Sequence, residues 1–200
     1  MNQPLGRFVG NALEVFECIR VLRNECEEAM KPMRRVAIEL ASRMLFLSGI
    51  CDSIESGKNR LFEKLESGEA LEKFRQNVGL QGGNPEICDD PQMLIDKSFM
   101  LYEIKAAKSG FILEIDTKEI GASICSIGGG RLKAEDSIDP AVGYASDVKI
   151  GDRVESGNPV GVLYCRNKSQ ADEIGKRLAG AYRVGSEMPD KIELIKDVIQ

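Results

Sequence analysis

Apolar positions in the first half of the chain recur every three or four residues. In residues 11–22, Ala12, Leu13, Val15, Phe16, Ile19 and Leu22 share one face, and Asn11 stands where an N-cap belongs. Residues 33–48 repeat the period through Val36, Leu40, Met44 and Leu47, flanked by Ala37, Ala41 and Leu45, and stop near Gly49. Two more helices are predicted over 53–66, ending at Gly68, and over 69–78, ending near Gly79. The stretch QGGNPEICDDPQML (81–94) then gathers Gly, Pro, Asn and Asp, which is loop chemistry, and a domain boundary is expected there.

Beyond it the period changes. FMLYEIKAAKSGFILEID (99–116) predicts two strands around a Lys-Ser-Gly turn, and 117–127 a short helix closed by Gly128, Gly129 and Gly130. Residues 144–165 predict three short extended pieces separated by Gly-Asp and Gly-Asn-Pro turns. Residues 169–181 return to helix, with Ala171, Ile174, Leu178 and Ala181 on one side. The expected fold is α+β: a helical segment over 1–83, a linker over 84–98 and a small α+β domain over 99–190. Within that domain VKIGDRVESGNPVGVL (148–163) reads as a barrel-sandwich hairpin of the biotinyl and lipoyl type. AAKSGFILEI (106–115) is expected to supply its other half.

Composition narrows the function. A net charge of −5 argues against nucleic acid and against a basic membrane-surface role. No apolar run approaches the ~18–20 residues of a membrane span, and no secretory leader is read before the first helix. The six cysteines show no CxxC pair and read as free thiols of a reducing cytoplasm rather than a disulfide framework. The chain contains no His, which removes His-based triads, proton shuttles and mixed Cys/His zinc sites.

Three motifs invite chemistry. Gly128–Gly130 followed by Arg131 could cradle a phosphate. The run lacks the GxGxxG and P-loop spacings and follows a helix instead of opening one, so it reads as a helix-to-strand crossover. EEAMKP (27–32) contains the Ala-Met-Lys core of a biotin acceptor, but here the Lys lies between two helices with Pro32 directly after it, and an acyl or biotin carrier is set aside. Glu135, Asp136 and Asp139 lie close together without the loop spacing of a divalent-cation site, and read as a polar connecting loop.

The chain begins on a Pro-Leu-Gly turn that runs straight into an amphipathic helix, as though in the middle of a fold. MNQPLGRFVGNALEV (1–15), ALEKFRQNVGLQGGNP (70–85), SGFILEID (109–116), IGGGRLKAEDSIDPAVG (127–143) and IGDRVESGNPVGVLY (150–164) occur in this order. Together they resemble the C-terminal part of the pyrimidine-nucleoside phosphorylases, the family that includes thymidine phosphorylase. The resemblance covers nearly the whole chain. It implies the C-terminal part of an α/β enzyme, ending in a hammerhead domain, with the chain starting at an internal methionine. Tyr164-Cys165 departs from the His-Ala of many members.

The implied reaction is reversible phosphorolysis: phosphate displaces the base from C1′ of a pyrimidine nucleoside, giving free base and a pentose 1-phosphate. The family's phosphate loop, its His and its base-binding Arg, Ser and Lys all match positions upstream of Met1, so no catalytic or cofactor-binding residue carries over and the chain alone is expected to be inactive. The resemblance also implies part of a potassium site: the carbonyls of Leu5 and Phe8 and the side chain of Glu17. Phosphate and a pyrimidine nucleoside are the expected partners, in a cytoplasmic, homodimeric complete enzyme. The competing reading is a non-catalytic binding or structural module derived from a truncated phosphorylase gene.

Overall fold

The strands expected on either side of the Lys-Ser-Gly turn form, but they do not pair with each other. In the computed structural model, which describes residues 2–96 and 98–199, β2 (Met100–Lys105) and β3 (Gly110–Ile115) belong to different sheets. Met1 of the first motif and Lys97 of the expected linker lie outside the described residues. β2 runs antiparallel to β6 (Pro159–Cys165), in the register Met100↔Cys165 through Ile104↔Gly161. β3 instead pairs with β5 (Arg153–Val154) and β7 (Tyr182–Gly185). The four-stranded sheet is completed by β1 (Phe8–Val9) and β4 (Gly143–Ser146), in the order β1-β4-β6-β2; the three-stranded order is β5-β3-β7. From β2 onward successive strands alternate between the two sheets, so the hairpin expected over 148–163 is also divided, with β5 in the smaller sheet and β6 in the larger. Glycine permits the β3–β7 approach at Gly110: its φ is +150°, and an added Cβ would collide with the Gly185 carbonyl oxygen.

Both sheets contribute to one core. Ile104, Tyr144, Val160 and Leu163 from the larger sheet meet Ile112, Ile115, Val154 and Val184 from the smaller. Helix α5 (Thr117–Ile124) adds Ile120 and Ile124, and α6 (Lys168–Gly180) adds Ala171, Ile174 and Leu178. The α6 face is the one its sequence period predicts. At its centre the phenol of Tyr144 lies 2.8 Å from that of Tyr182, which lies 2.9 Å from the hydroxyl of Ser146, so the hydroxyls carried by β4 and β7 satisfy one another in a buried setting.

The chain divides into two compact units, Met1–Val15 with Leu94–Glu193 and Phe16–Met93 with Leu194–Gln200. Residues before α1 (Asn11–Leu22), expected with the helical segment, sort with the β-rich unit because β1 pairs with β4 in the register Phe8↔Ala145. The second unit holds α2 (Lys31–Leu47), α3 (Ile54–Glu66) and α4 (Glu69–Leu80). Ser53 caps α3 by accepting from the Ser56 N–H. The helix forms as its period predicts, and its apolar stripe is exposed: Leu40 by 59%, Met44 by 70% and Leu47 by 82%. What α2 presents to α3 is Ser42, fully buried, where Gly57 lets the backbones approach; a Cβ at Gly57 would meet the Ser42 carbonyl at 3.0 Å.

Candidate functional site

The QPLG segment is strapped along its length to the turn that follows β4. Gln3 Oε1 accepts from the Ile150 N–H at 2.7 Å, and the Lys149 ammonium donates to the carbonyls of Pro4 at 2.7 Å and Gly6 at 2.6 Å. Arg7 Nε donates to Asp147 at 2.6 Å, and both side chains are only partly exposed. An ammonium holding two backbone carbonyls supplies charge-assisted bonds, stronger than neutral ones. The Ser146 N–H donates to the Arg7 carbonyl at 2.7 Å, which makes Arg7 and Ser146 the bonded pair of the β1–β4 ladder. The alternation of an antiparallel pair then turns the Phe8 carbonyl away from β4, toward the outer edge of the sheet.

The strap runs into α1 through Gly10. Its φ of +136° and the absence of a Cβ, which would stand 2.6 Å from the Val142 carbonyl oxygen, let the helix start against the residue before β4. Asn11, expected as the cap, is already helical. Its side-chain amide donates instead to the Gly129 carbonyl at 2.9 Å, while the Gly10 N–H reaches the Glu14 carboxylate at 3.2 Å. The glycine run therefore offers carbonyls to donors: Gly129 to Asn11 and Gly128 to the Asp139 N–H at 2.8 Å. After α5 the backbone makes a wide π-type turn over Cys125–Gly129, closed by Gly128 at φ +105°. Gly129 and Gly130 leave no room for a Cβ against Ile124 and Cys125. This is a packing device.

The acidic loop is likewise occupied. Asp136 accepts from the N–H groups of Leu132 at 3.0 Å and Lys133 at 2.9 Å. Asp139 receives the Arg166 guanidinium in a fork of 2.7 and 2.9 Å, and the same guanidinium reaches Asp96 at 2.8 Å and lies over the Phe99 ring, 4.2 Å from its centroid. Hydrogen bonds from the Ser98 hydroxyl and N–H, with Arg166, draw the Asp96 carboxyl down to about 2. Burial pushes the Tyr182 phenol up to about 12 and raises that of Tyr164. Arg7 and Asp147 act on Tyr164 in opposite directions, which places the residue that departs from His next to the strap. All six cysteines are free thiols.

Of the residues expected to hold potassium, Leu5 is half-buried in the strap, Phe8 lies on β1 at 6% exposure, and Glu17 lies on α1 at 3% exposure. Leu5 and Phe8 fall in the β-rich unit, and Glu17 in the stretch assigned to the other. Carbonyl oxygens and a carboxylate are a donor set that suits a large, weakly polarising cation. Sequence reasoning missed Lys149, Asp147 and Arg166. Lys149 stands 145 residues from Pro4, and no local period connects them.

The fold and strap define a two-sheet α+β domain entered by a tethered loop and helix. Residues 111–185 match the family described as the pyrimidine nucleoside phosphorylase C-terminal domain. The pyrimidine-nucleoside phosphorylase of Staphylococcus aureus strain MSSA476 is 34% identical over 200 residues, which is 100% of this chain and 45% of that protein. Its counterpart in the bovine strain RF122 / ET3-1 is 36% identical over 188 residues, 94% of this chain and 42% of that protein. Residues 111–185 thus carry this family's C-terminal domain, and the whole chain is similar to these phosphorylases while spanning a little under half of their length.

Proposed function

We propose that this chain serves as the C-terminal portion of a pyrimidine-nucleoside phosphorylase. The complete enzyme would catalyse reversible phosphorolysis, a pentosyl transfer in which phosphate oxygen bonds to C1′ of a pyrimidine nucleoside, the bond to the base breaks, and base and pentose 1-phosphate are released. The observation that carries this reading is the match of all 200 residues, without restriction to one domain, to the Staphylococcus aureus phosphorylase. The transition state needs an anion cradle, fixed cations and a donor to the departing base. The sequence holds no His and no phosphate loop, and the glycine run is engaged through its carbonyls, so the chain by itself is expected to be catalytically silent.

What the chain contributes is support. Lys149 and Arg7 hold the QPLG strap in place. The Leu5 and Phe8 carbonyls and the Glu17 carboxylate are the groups that would hold potassium. A bound potassium ion would supply fixed positive charge beside the substrate phosphate. The complete enzyme is read as a cytoplasmic homodimer; among the described residues no helix is long and apolar enough to cross a membrane.

The test has two arms. The purified chain, incubated with thymidine or uridine and phosphate, should release no base, and turnover near an ordinary enzymatic rate of roughly 10 s⁻¹ would contradict an incomplete site. Joined to the part of the Staphylococcus aureus relative that it does not cover, it should gain potassium-dependent phosphorolysis that Glu17→Gln weakens. Indifference to both potassium and Glu17→Gln would overturn the potassium assignment.

A further inference from the structure

The helical unit carries a cationic hollow that the phosphorolysis reading does not use. A cavity of about 330 Å³ between α2 and α3 is bordered by Lys31, Arg34, Arg35 and Lys58, with Ile38 and Phe62 as its apolar wall and Glu39 as the one carboxylate. Two of the cations are already compensated: Lys31 pairs with Glu28, and Lys58 with Glu39, which also meets Arg43 at 3.7 Å. Among the described residues no carboxylate pairs with Arg34 or Arg35, so two guanidinium charges are left over in a chain whose net charge is −5. The Arg34 guanidinium carbon lies 5.5 Å from the centroid of the Phe62 ring, and its Nε is buried without a hydrogen-bond acceptor. A buried donor without an acceptor is uncommon and calls for an unseen partner.

We propose that this hollow binds a phosphate monoester carried on a flat ring, of which a nucleoside monophosphate is the simplest example. The two guanidiniums match the charge of a phosphate monoester, about −1.5 to −2 near neutral pH, and their planar forks suit its oxygens. Phe62, 39% exposed, and half-buried Ile38 offer a ring the apolar surface that inorganic phosphate would leave unused. The volume is at the small end of the range for small-molecule sites, roughly 300–1,000 Å³. The site stands apart from the phosphorolysis reading, and neither depends on the other.

The full chain is titrated by calorimetry at low salt with uridine monophosphate, inorganic phosphate and uridine. Uridine monophosphate should bind, with inorganic phosphate at least about fivefold weaker and uridine weaker still. Arg35→Gln, an exposed position, should weaken the nucleotide about tenfold with an unchanged circular dichroism spectrum, and Arg34→Gln should weaken it further. Nucleotide binding that Arg35→Gln leaves unchanged would overturn the site whatever becomes of the less exposed Arg34 variant. No binding of the nucleotide up to roughly 10 mM would overturn it outright. Phosphate binding as tightly as the nucleotide would overturn the ring-bearing ligand.

Discussion

The same three-to-four period appears on α2 and on α6, and it means different things in the two units. On α6 the apolar residues Ala171, Ile174 and Leu178 are at most 1% exposed, because two sheets and α5 enclose them. On α2 the equivalent stripe, Leu40, Met44 and Leu47, faces outward, and Phe46 and Ile50 nearby are exposed by 44% and 54%. Amphipathic spacing therefore specifies the helix and its apolar face but leaves open what covers that face. In the β-rich unit, cross-strand pairing supplies the covering layer within the same unit. In the helical unit, α3 covers a different face, the one with small residues at Ser42 and Gly57, since only there can the two backbones come close.

The sharpest way to break this comparison is to truncate apolar side chains in both units. Leu163→Ala, at a fully buried position on β6, should cost about 2–5 kcal/mol, read from urea denaturation. Leu47→Ala on α2 should stay within about 0.5 kcal/mol. Gly161→Ala should be worse than either, because its Cβ would stand 2.1 Å from the Tyr144 hydroxyl and 2.3 Å from the Ala145 carbonyl oxygen. Amide hydrogen exchange should show the strongest protection in β2, β3, β4, β6 and α6, and weaker protection in α2–α4. Equal costs for Leu163→Ala and Leu47→Ala, or equal protection in the two units, would show that the α2 stripe is covered in solution.

Next in size is the hydroxyl network of the β-rich core. Tyr182→Phe keeps the ring and removes the oxygen that both Tyr144 and Ser146 use, leaving the buried Tyr144 hydroxyl without that partner and Ser146 with the Val148 carbonyl at 3.4 Å. The expected loss is about 1–3 kcal/mol. The double variant Tyr182→Phe with Ser146→Ala should recover part of it, and a loss that grows additively would show that the three hydroxyls do not act as a group.

Lys149→Met should have a smaller and more local effect. Much of the length and apolar bulk of the stem is kept while the bonds to the Pro4 and Gly6 carbonyls are lost, so exchange should rise across residues 3–8 with a cost of about 1–2 kcal/mol. Protection unchanged in that stretch would mean that Gln3 and Arg7 alone hold the strap.

Helices, turns and the α+β class were legible in the sequence because each rests on local information, a period or a glycine, whereas the one N-cap read from the sequence, Asn11, is already helical. The helix stop at Gly128–Gly130 was legible for the same reason, since a glycine run after a helix signals an end, but no strand follows it directly: an irregular loop runs on to β4 at Gly143. Strand pairing was not. β3 pairs with β7, bringing Gly110 against Gly185, 75 positions away in the chain, and a Lys-Ser-Gly turn looks the same whether its strands pair with each other or not. Lys149 and Arg166 escaped notice similarly, because a surface cation becomes a strap or a clamp only once folding brings distant carbonyls or carboxylates to it. The potassium residues were named from resemblance alone; no spacing rule singles out two backbone carbonyls.

The smallest expected effect is electrostatic and belongs to the Arg166 clamp, which ties Asp96 to Asp139 within the β-rich unit. Both carboxyls are held below their ordinary value. For Asp96 the causes are first the Ser98 hydroxyl and N–H and then Arg166; for Asp139 the Arg166 bond comes first. A carboxyl depressed on folding stabilises the folded state above its ordinary pKa, where the unfolded chain would bind a proton more readily. That stabilisation is lost as pH falls through the folded value. For Asp96 the window runs from the ordinary value near 3.8 down to about 2. The stability difference between the native chain and Asp96→Asn should therefore be level at neutral pH, shrink across that window and weaken with added salt, because the pair is partly exposed. A difference that stays constant from neutral pH to the bottom of the window would mean that Asp96 contributes through shape and its bonds to Ser98, without its charge.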